Sequence, residues 1–190
     1  MRYITIEGVD TAGKSTQIDI LKEKYLDAIY TKEPGGTKLG ESLRDIVLHK
    51  TINSPISEMF IFLADRAEHI AKLEKKYKNK NIISDRSLIS GIAYAKVLDI
   101  DRLIELNKIA TNNILPQKVV LLKLTYKELS DRLKAKSNDK IESRGVDYIF
   151  DIQNKLEETI KKLNIENLII DATKPIEQIA KDIDRFIGFE

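Results

Sequence analysis

The stretch Gly8–Thr16, G-V-D-T-A-G-K-S-T, follows an apolar strand pattern at Tyr3-Ile4-Thr5-Ile6 and leads into a helical one. It constrains the fold more than any other part of the chain, because a glycine-bounded turn between strand and helix is built to hold an anion. Gly8 and Gly13 let the backbone curl until several N–H groups converge on the same oxygens. The helix that starts near Lys14 adds the positive end of its dipole. In such a loop Lys14 reaches the β- and γ-phosphates of a nucleoside triphosphate, and the Ser15 hydroxyl ligates Mg²⁺. Gly8, Val9, Asp10, Thr11, Ala12, Gly13, Lys14, Ser15 and Thr16 are therefore the candidate triphosphate site.

Apolar runs typical of buried parallel strands recur at Tyr3–Ile6, Ala28–Tyr30, Ile82–Ser84, Val119–Leu124 and Leu168–Ile170. Helical patterns lie at Ser15–Tyr25, Leu39–Leu48, Ser57–Tyr77, Ser90–Val97, Asp101–Ile114, Tyr126–Ala135, Asp147–Leu163 and Ile176–Phe186. This alternation predicts an α/β fold, a five-stranded parallel sheet flanked by helices on both faces. The length of 190 residues suits one well-buried core, so 1–190 reads as a single domain. Ligands of such sheets bind beyond the carboxyl ends of the strands. The informative residues fall there. The Gly8 loop follows the first strand, Glu33-Pro34-Gly35-Gly36-Thr37 the second, Asp85-Arg86-Ser87 the third and Asp171-Ala172-Thr173 the last. There is no internal repeat. The polar segment Lys134–Gly145 reads either as a linker or as a lid, and its four cations point to a short lid over about 134–147.

Composition narrows the function classes. Net charge is only +2, with 32 Lys and Arg against 30 Asp and Glu, so no basic footprint calls for nucleic acid. The absence of cysteine excludes disulfides, thiol catalysis and cysteine-ligated metal. His49 and His69 fall in helical patterns and read as surface or internally satisfied positions. No apolar run approaches the length of a membrane span, and no leader pattern precedes the first strand. A soluble, cytoplasmic protein without a membrane partner is the expectation.

Phosphoryl transfer needs in-line positioning and cations where charge gathers, rather than covalent help. Lys14 and Mg²⁺ serve the donor. On the acceptor side, Arg86 at a strand end can bridge a phosphate with its planar fork, or merely pair with Asp85. Asp85 is placed to meet the metal or Lys14. Arg44 suits a phosphate contact and a solvated helix face equally.

These residues carry a family resemblance. E-G-V-D-T-A-G-K-S-T-Q at Glu7–Gln17, T-K-E-P-G-G-T at Thr31–Thr37, F-L-A-D-R-A at Phe62–Ala67, S-D-R-S-L-I-S-G-I-A-Y at Ser84–Tyr94 and I-D-A-T at Ile170–Thr173 span the chain. Together they resemble the thymidylate kinases, which have the P-loop nucleoside monophosphate kinase fold and phosphorylate dTMP with ATP and Mg²⁺ on the way to dTTP. The resemblance implies roles residue by residue. Phe62 stacks on thymine, and Arg66, one helical turn on, donates to a thymine carbonyl. Ser90 and Gly91 approach the base edge, and Tyr94 packs under the sugar, where its ring excludes a 2′-hydroxyl. Asp10 faces the 3′-hydroxyl and the acceptor phosphate, which Arg86 and Arg44 clamp. Pro34 and the glycines after it shape the acceptor turn, with Glu33 near the metal or phosphate loop. Asp171 and Ala172 lie against adenine, with Arg132 on its other side. Ser15 and Asp85 hold the metal. A homodimer is implied as well, with the helices Ser57–Tyr77 and Ser90–Val97 as its candidate interface.

Two positions depart from the family pattern. Thr11 stands where some members carry a catalytic arginine, so the final cation should come from the lid: Arg144, with Lys136 and Lys140 next. In the same segment Asp139 and Glu142 could anchor the lid. Ser87 stands where many relatives have an aromatic residue or histidine. Other classes fit less well. A kinase for another nucleotide would share the donor site but not Phe62, Arg66 and Tyr94. A nucleotide switch would need a guanine-reading N-K-x-D, and Asn154-Lys155-Leu156-Glu157 falls inside a helical pattern and ends in Glu.

Overall fold

The computed structural model describes residues 1–135 and 145–189. Five strands, β1 (Arg2–Gly8), β2 (Ile29–Lys32), β3 (Asn81–Asp85), β4 (Lys118–Lys123) and β5 (Glu166–Asp171), form one sheet in the order β2-β3-β1-β4-β5. Every pairing is parallel. The helices are α1 (Lys14–Lys24), α2 (Lys38–His49), α3 (Pro55–Tyr77), α4 (Leu88–Tyr94), α5 (Ile100–Ala110), α6 (Tyr126–Ala135), α7 (Val146–Leu163) and α8 (Ile176–Ile187). The predicted fold class holds: helices cover both faces of a five-stranded parallel sheet.

Position in the sheet explains how the strands differ. Central β1 and β4 are buried almost throughout, whereas of the edge strands β2 is largely part-exposed and β5 largely exposed. Because side chains alternate across a strand, Tyr3 packs with Ile70 and Leu73 of α3, while Ile4 and Ile6 join the cluster that includes Ile18 and Leu21 of α1. Helix ends follow local chemistry. Ser54 caps α3 by accepting from the Ser57 N–H, and Pro55 occupies the first turn, where its missing donor costs nothing. In α8, Ile179, Ile183 and Ile187 recur every four residues and are buried.

Two predicted boundaries shift. The helix expected to run to Ile114 stops at Ala110, because Asn112 (φ 49) and Asn113 (φ 60) turn into the left-handed region ahead of Pro116. The helix expected over Ser90–Val97 is α4, shifted toward the N-terminus. The Ser87 hydroxyl starts it by accepting from the Ile89 N–H, and Ala95 leaves the helix in extended conformation.

Candidate active site

The loop after β1 is held in a conformation that its sequence conceals. Gly13 (φ 91) and Thr11 (φ 70) both occupy the left-handed region. For a β-branched residue this costs on the order of 1–2 kcal/mol. Val9 and Ala12 point into the core, so this loop offers backbone at those positions rather than side chains. Lys14 is buried and donates to the carbonyls of Gly8 at 3.0 Å and Val9 at 3.2 Å. Burial, reinforced by the nearby Arg86, pulls its pKa down to about 8. Ser15 and Thr16 remain exposed.

Arg132 of α6 closes one side of this loop. It donates to the carbonyl of Thr11 at 3.0 Å and to that of Ala172 at 3.1 Å, with Nε held by Glu128 at 2.7 Å. The loop is thereby tied to the turn after β5. There Asp171 accepts from the backbone N–H and the hydroxyl of Thr173 at 2.9 and 2.7 Å.

Arg86, just past β3, joins this loop to α4. One Nη donates to Asp10 at 2.6 Å and the other to the Ser90 hydroxyl at 3.0 Å. Its guanidinium lies 5.5 Å from the centroid of the Tyr94 ring. Asp10 is therefore its ion partner, and Lys14 lies 4.0 Å from the same carboxylate oxygen. The Ser90 hydroxyl in turn donates to Glu7 at 2.6 Å, as does that of Ser87 at 2.6 Å. Burial pushes the Glu7 carboxyl up to about 7, against the two serine hydroxyls and the charges of Arg86 and Lys14. Sequence reasoning missed Glu7 as a residue with its own task. The available signal was an ionisable side chain in an otherwise apolar central strand. The departure at Ser87 also finds its place, for its hydroxyl caps α4 and binds Glu7, so it turns into the fold.

A third cluster surrounds Arg66 of α3. Its Nε donates to Glu33 at 2.8 Å, one Nη to Asn107 of α5, and the other to the Ser87 carbonyl at 3.4 Å. The second Glu33 oxygen lies 2.8 Å from His69 Nδ1, and His69 Nε2 lies 2.7 Å from the Thr31 hydroxyl. A ring protonated on Nδ1 alone serves both contacts, so His69 is an internally satisfied helix position. Burial raises the Glu33 carboxyl, but Arg66 and His69 outweigh it and hold the group below the ordinary carboxylate range. Both Glu33 oxygens thus serve α3. Its peptide bond to Pro34 is cis. Arg44 is half-buried and donates to the Pro34 carbonyl at 3.1 Å, which places it against the turn after β2. Phe62 is half-buried and belongs to neither hydrophobic cluster, so it is not a core residue.

Ser15 and Asp85 line one cleft of ≈ 370 Å³ with Gly35 and Gly36. Asp85 Oδ1 is buried there without a hydrogen-bond partner. Among the described residues no three His, Asp or Glu side chains gather around a common point. A divalent cation would take one or two protein ligands and complete its shell with phosphate and water, which is how Mg²⁺ is usually held. Arg144, Lys136, Lys140, Asp139 and Glu142 lie outside the described residues.

Comparison with known proteins matches the family model described as Thymidylate kinase over residues 6–183. A protein of Aliarcobacter butzleri named Thymidylate kinase is 58% identical over 186 residues, covering 98% of each chain. One of Sulfurimonas denitrificans with the same name is 52% identical, over 95% of this chain and 96% of its own. One of Helicobacter hepaticus, also so named, is 46% identical over 98% of both.

Proposed function

This chain belongs to the thymidylate kinase family and catalyses ATP + dTMP → ADP + dTDP, and from that premise we propose which of its residues carry the reaction. The observation that supports the assignment is the Asp10–Arg86 ion pair at 2.6 Å, which ties the loop after β1 to the turn after β3. An oxygen of the dTMP phosphate attacks the γ-phosphorus of ATP while the bond to the β–γ bridging oxygen breaks and the electron pair leaves with ADP. Lys14 and the loop N–H groups meet the β- and γ-phosphates. Arg86 and Arg44 hold the acceptor phosphate, and Asp10 orients Arg86 and meets the 3′-hydroxyl. Phe62 stacks on the base and Arg66 donates to a thymine carbonyl from its two uncommitted N–H groups. Ser90 and Gly91 border the base, Tyr94 lies beneath the sugar, and Pro34 shapes the turn. Glu33 acts through Arg66. Arg132, Asp171 and Ala172 frame the adenine.

Mg²⁺ belongs to this proposal, with Ser15 and Asp85 as its protein ligands; when bound it neutralises phosphate charge. The unpartnered Asp85 oxygen supports this fit. The cation that replaces a loop arginine is assigned to Arg144, with Lys136 and Lys140 next. A homodimer is proposed too, with one change of surface. The apolar side chains of α4 are buried within the subunit, so the candidate face is formed by α2 and α3, which expose Leu39 (52%), Ile56 (39%) and Phe60 (54%). A cytoplasmic location is part of the same reading, since both substrates are soluble nucleotides. No described helix is long and apolar enough to cross a membrane. A coupled ADP-release assay with dTMP, dUMP, UMP and AMP tests the acceptor assignment: dTMP should give the highest kcat/KM, and a preference for UMP would overturn the base site.

A further inference from the structure

Arg66 is 3% exposed, and its guanidinium is fixed from three directions. Of its five N–H groups, one on Nε goes to Glu33, one on Nη1 to Asn107 and one on Nη2 to the Ser87 carbonyl. One N–H on each Nη is left for a ligand. Asn107 is the only one of these partners that comes from α5, and it lies outside every motif in the chain. It is 2% exposed, and its amide cannot turn over freely, because Nδ2 donates to the Leu103 carbonyl at 2.7 Å and so aims Oδ1 at Arg66. The fourth wall is Gly91 of α4. A Cβ at that position would lie 2.7 Å from Nη1 and 2.9 Å from Cζ, so only glycine lets α4 meet the guanidinium at this distance.

We propose that Asn107 is a positioning residue for acceptor specificity: its amide oxygen sets the tilt of Arg66, so that the two free N–H groups face a pyrimidine carbonyl. This rests on the reading of Arg66 as the group that donates to the base. Glu33 holds the Nε end of the guanidinium but leaves the planar group free to pivot about that one contact. Asn107 and the Ser87 carbonyl restrict the far end, and of the two the amide makes the closer bond. Removing it leaves the arginine charged and paired, yet free to tilt.

The test compares the KM for dTMP with the Ki of dCMP, whose base carries an amino donor in place of one of the two thymine carbonyls. Both constants are independent of the fraction of active enzyme, so partly folded variants still report. In Asn107→Leu and Asn107→Ala the ratio of dCMP Ki to dTMP KM should fall about tenfold, the usual weight of one hydrogen bond to a charged group. The KM for ATP should stay within about twofold, and Asn107→Asp, which keeps the acceptor, should retain most of the ratio. An unchanged ratio in either active acceptor-less variant overturns the proposal, as does a loss in Asn107→Asp equal to that in Asn107→Leu. Arg66→Lys separates the two readings: if that variant also keeps the ratio, the base-site assignment fails; if it loses the ratio while Asn107→Leu keeps it, only the role of Asn107 fails.

Discussion

Replacing Glu7 by glutamine should stabilise this protein in alkaline buffer and do little in acid. Glu7 is fully buried at the end of β1 and accepts both serine hydroxyls at 2.6 Å, yet burial still pushes its carboxyl from 4.5 up to about 7. Ionisation is therefore disfavoured in the folded chain relative to the unfolded one. Because the folded pKa is the higher, the stabilising contribution is complete below pH 4.5 and is lost as pH rises through 7. At about 1.4 kcal/mol per pKa unit, the loss amounts to ~3 kcal/mol by pH 8.5.

Glutamine has no charge to ionise, so it escapes this loss. Its amide must donate where the carboxylate accepted, which reverses one serine contact and costs about 1 kcal/mol at every pH. Glu7→Gln should then be slightly less stable than the parent at pH 4.5 and about 2 kcal/mol more stable at pH 8.5. Urea unfolding followed by circular dichroism, run on both proteins at each pH, measures the difference directly. Lys14 titrates nearby in both proteins, so most of its contribution cancels. A stability difference that stays constant across this range, or that moves against the variant as pH rises, would refute the reasoning. Glu7 would then be an ordinary ionised member of the Lys14–Arg86 cluster.

Lys14 supplies a second pH-linked expectation. Its pKa is about 8 in the free enzyme, and the negative charge of a bound triphosphate favours the protonated form. ATP binding near pH 8 should take up roughly half a proton, seen by calorimetry in buffers of different ionisation enthalpy, and Lys14→Met should abolish the uptake. Arg86→Ala should lower turnover about 10³-fold while ATP affinity changes little, a charge effect at the transferring phosphoryl group. Loss of ATP binding in that variant would place Arg86 on the donor side. Tyr94→Ala should narrow the preference for dTMP over its ribose counterpart about tenfold in kcat/KM, since a smaller side chain no longer excludes the 2′-hydroxyl. An unchanged ratio removes Tyr94 from sugar discrimination.

The sheet and its helices were legible because hydrophobic period and punctuation agree along most of this chain. Tyr3–Ile6 and Val119–Leu124 are apolar on both faces, as central parallel strands must be. Ala28–Tyr30 was placed a residue or two early, because β2 is an edge strand whose polar ends Thr31 and Lys32 carry no apolar signal. The residues proposed for the site could be singled out for a different reason: Asp10, Lys14, Arg66 and Arg86 sit in short motifs where spacing already constrains geometry. Glu7, Asn107 and the orientation of Ser87 were not. Their contribution is made across 80 or 41 residues of sequence, and no local pattern encodes a partner that far away.

Backbone conformation marks the other limit, and it bears on how the two halves of the site are coupled. Thr11 and Arg86 both take φ near 70°, where side chains crowd the main chain, at a cost on the order of 1–2 kcal/mol each. Thr11 lies in the loop after β1 and Arg86 directly follows β3, and each is held by bonds to distant elements. Arg132 grips the Thr11 carbonyl at 3.0 Å, while the Arg86 N–H reaches the Ile6 carbonyl at 3.1 Å and its side chain reaches Asp10. Strain of this kind persists only where the surroundings over-determine it. Here those surroundings are Arg132, the Ile6 carbonyl and Asp10. Loosening Asp10–Arg86 would release the turn after β3 as well as the phosphate clamp. The charge pair and the strained turn therefore act as one unit: Arg86→Ala should loosen the acceptor clamp and the turn after β3 together, while the loop after β1, still gripped at Thr11 by Arg132, keeps its hold on ATP.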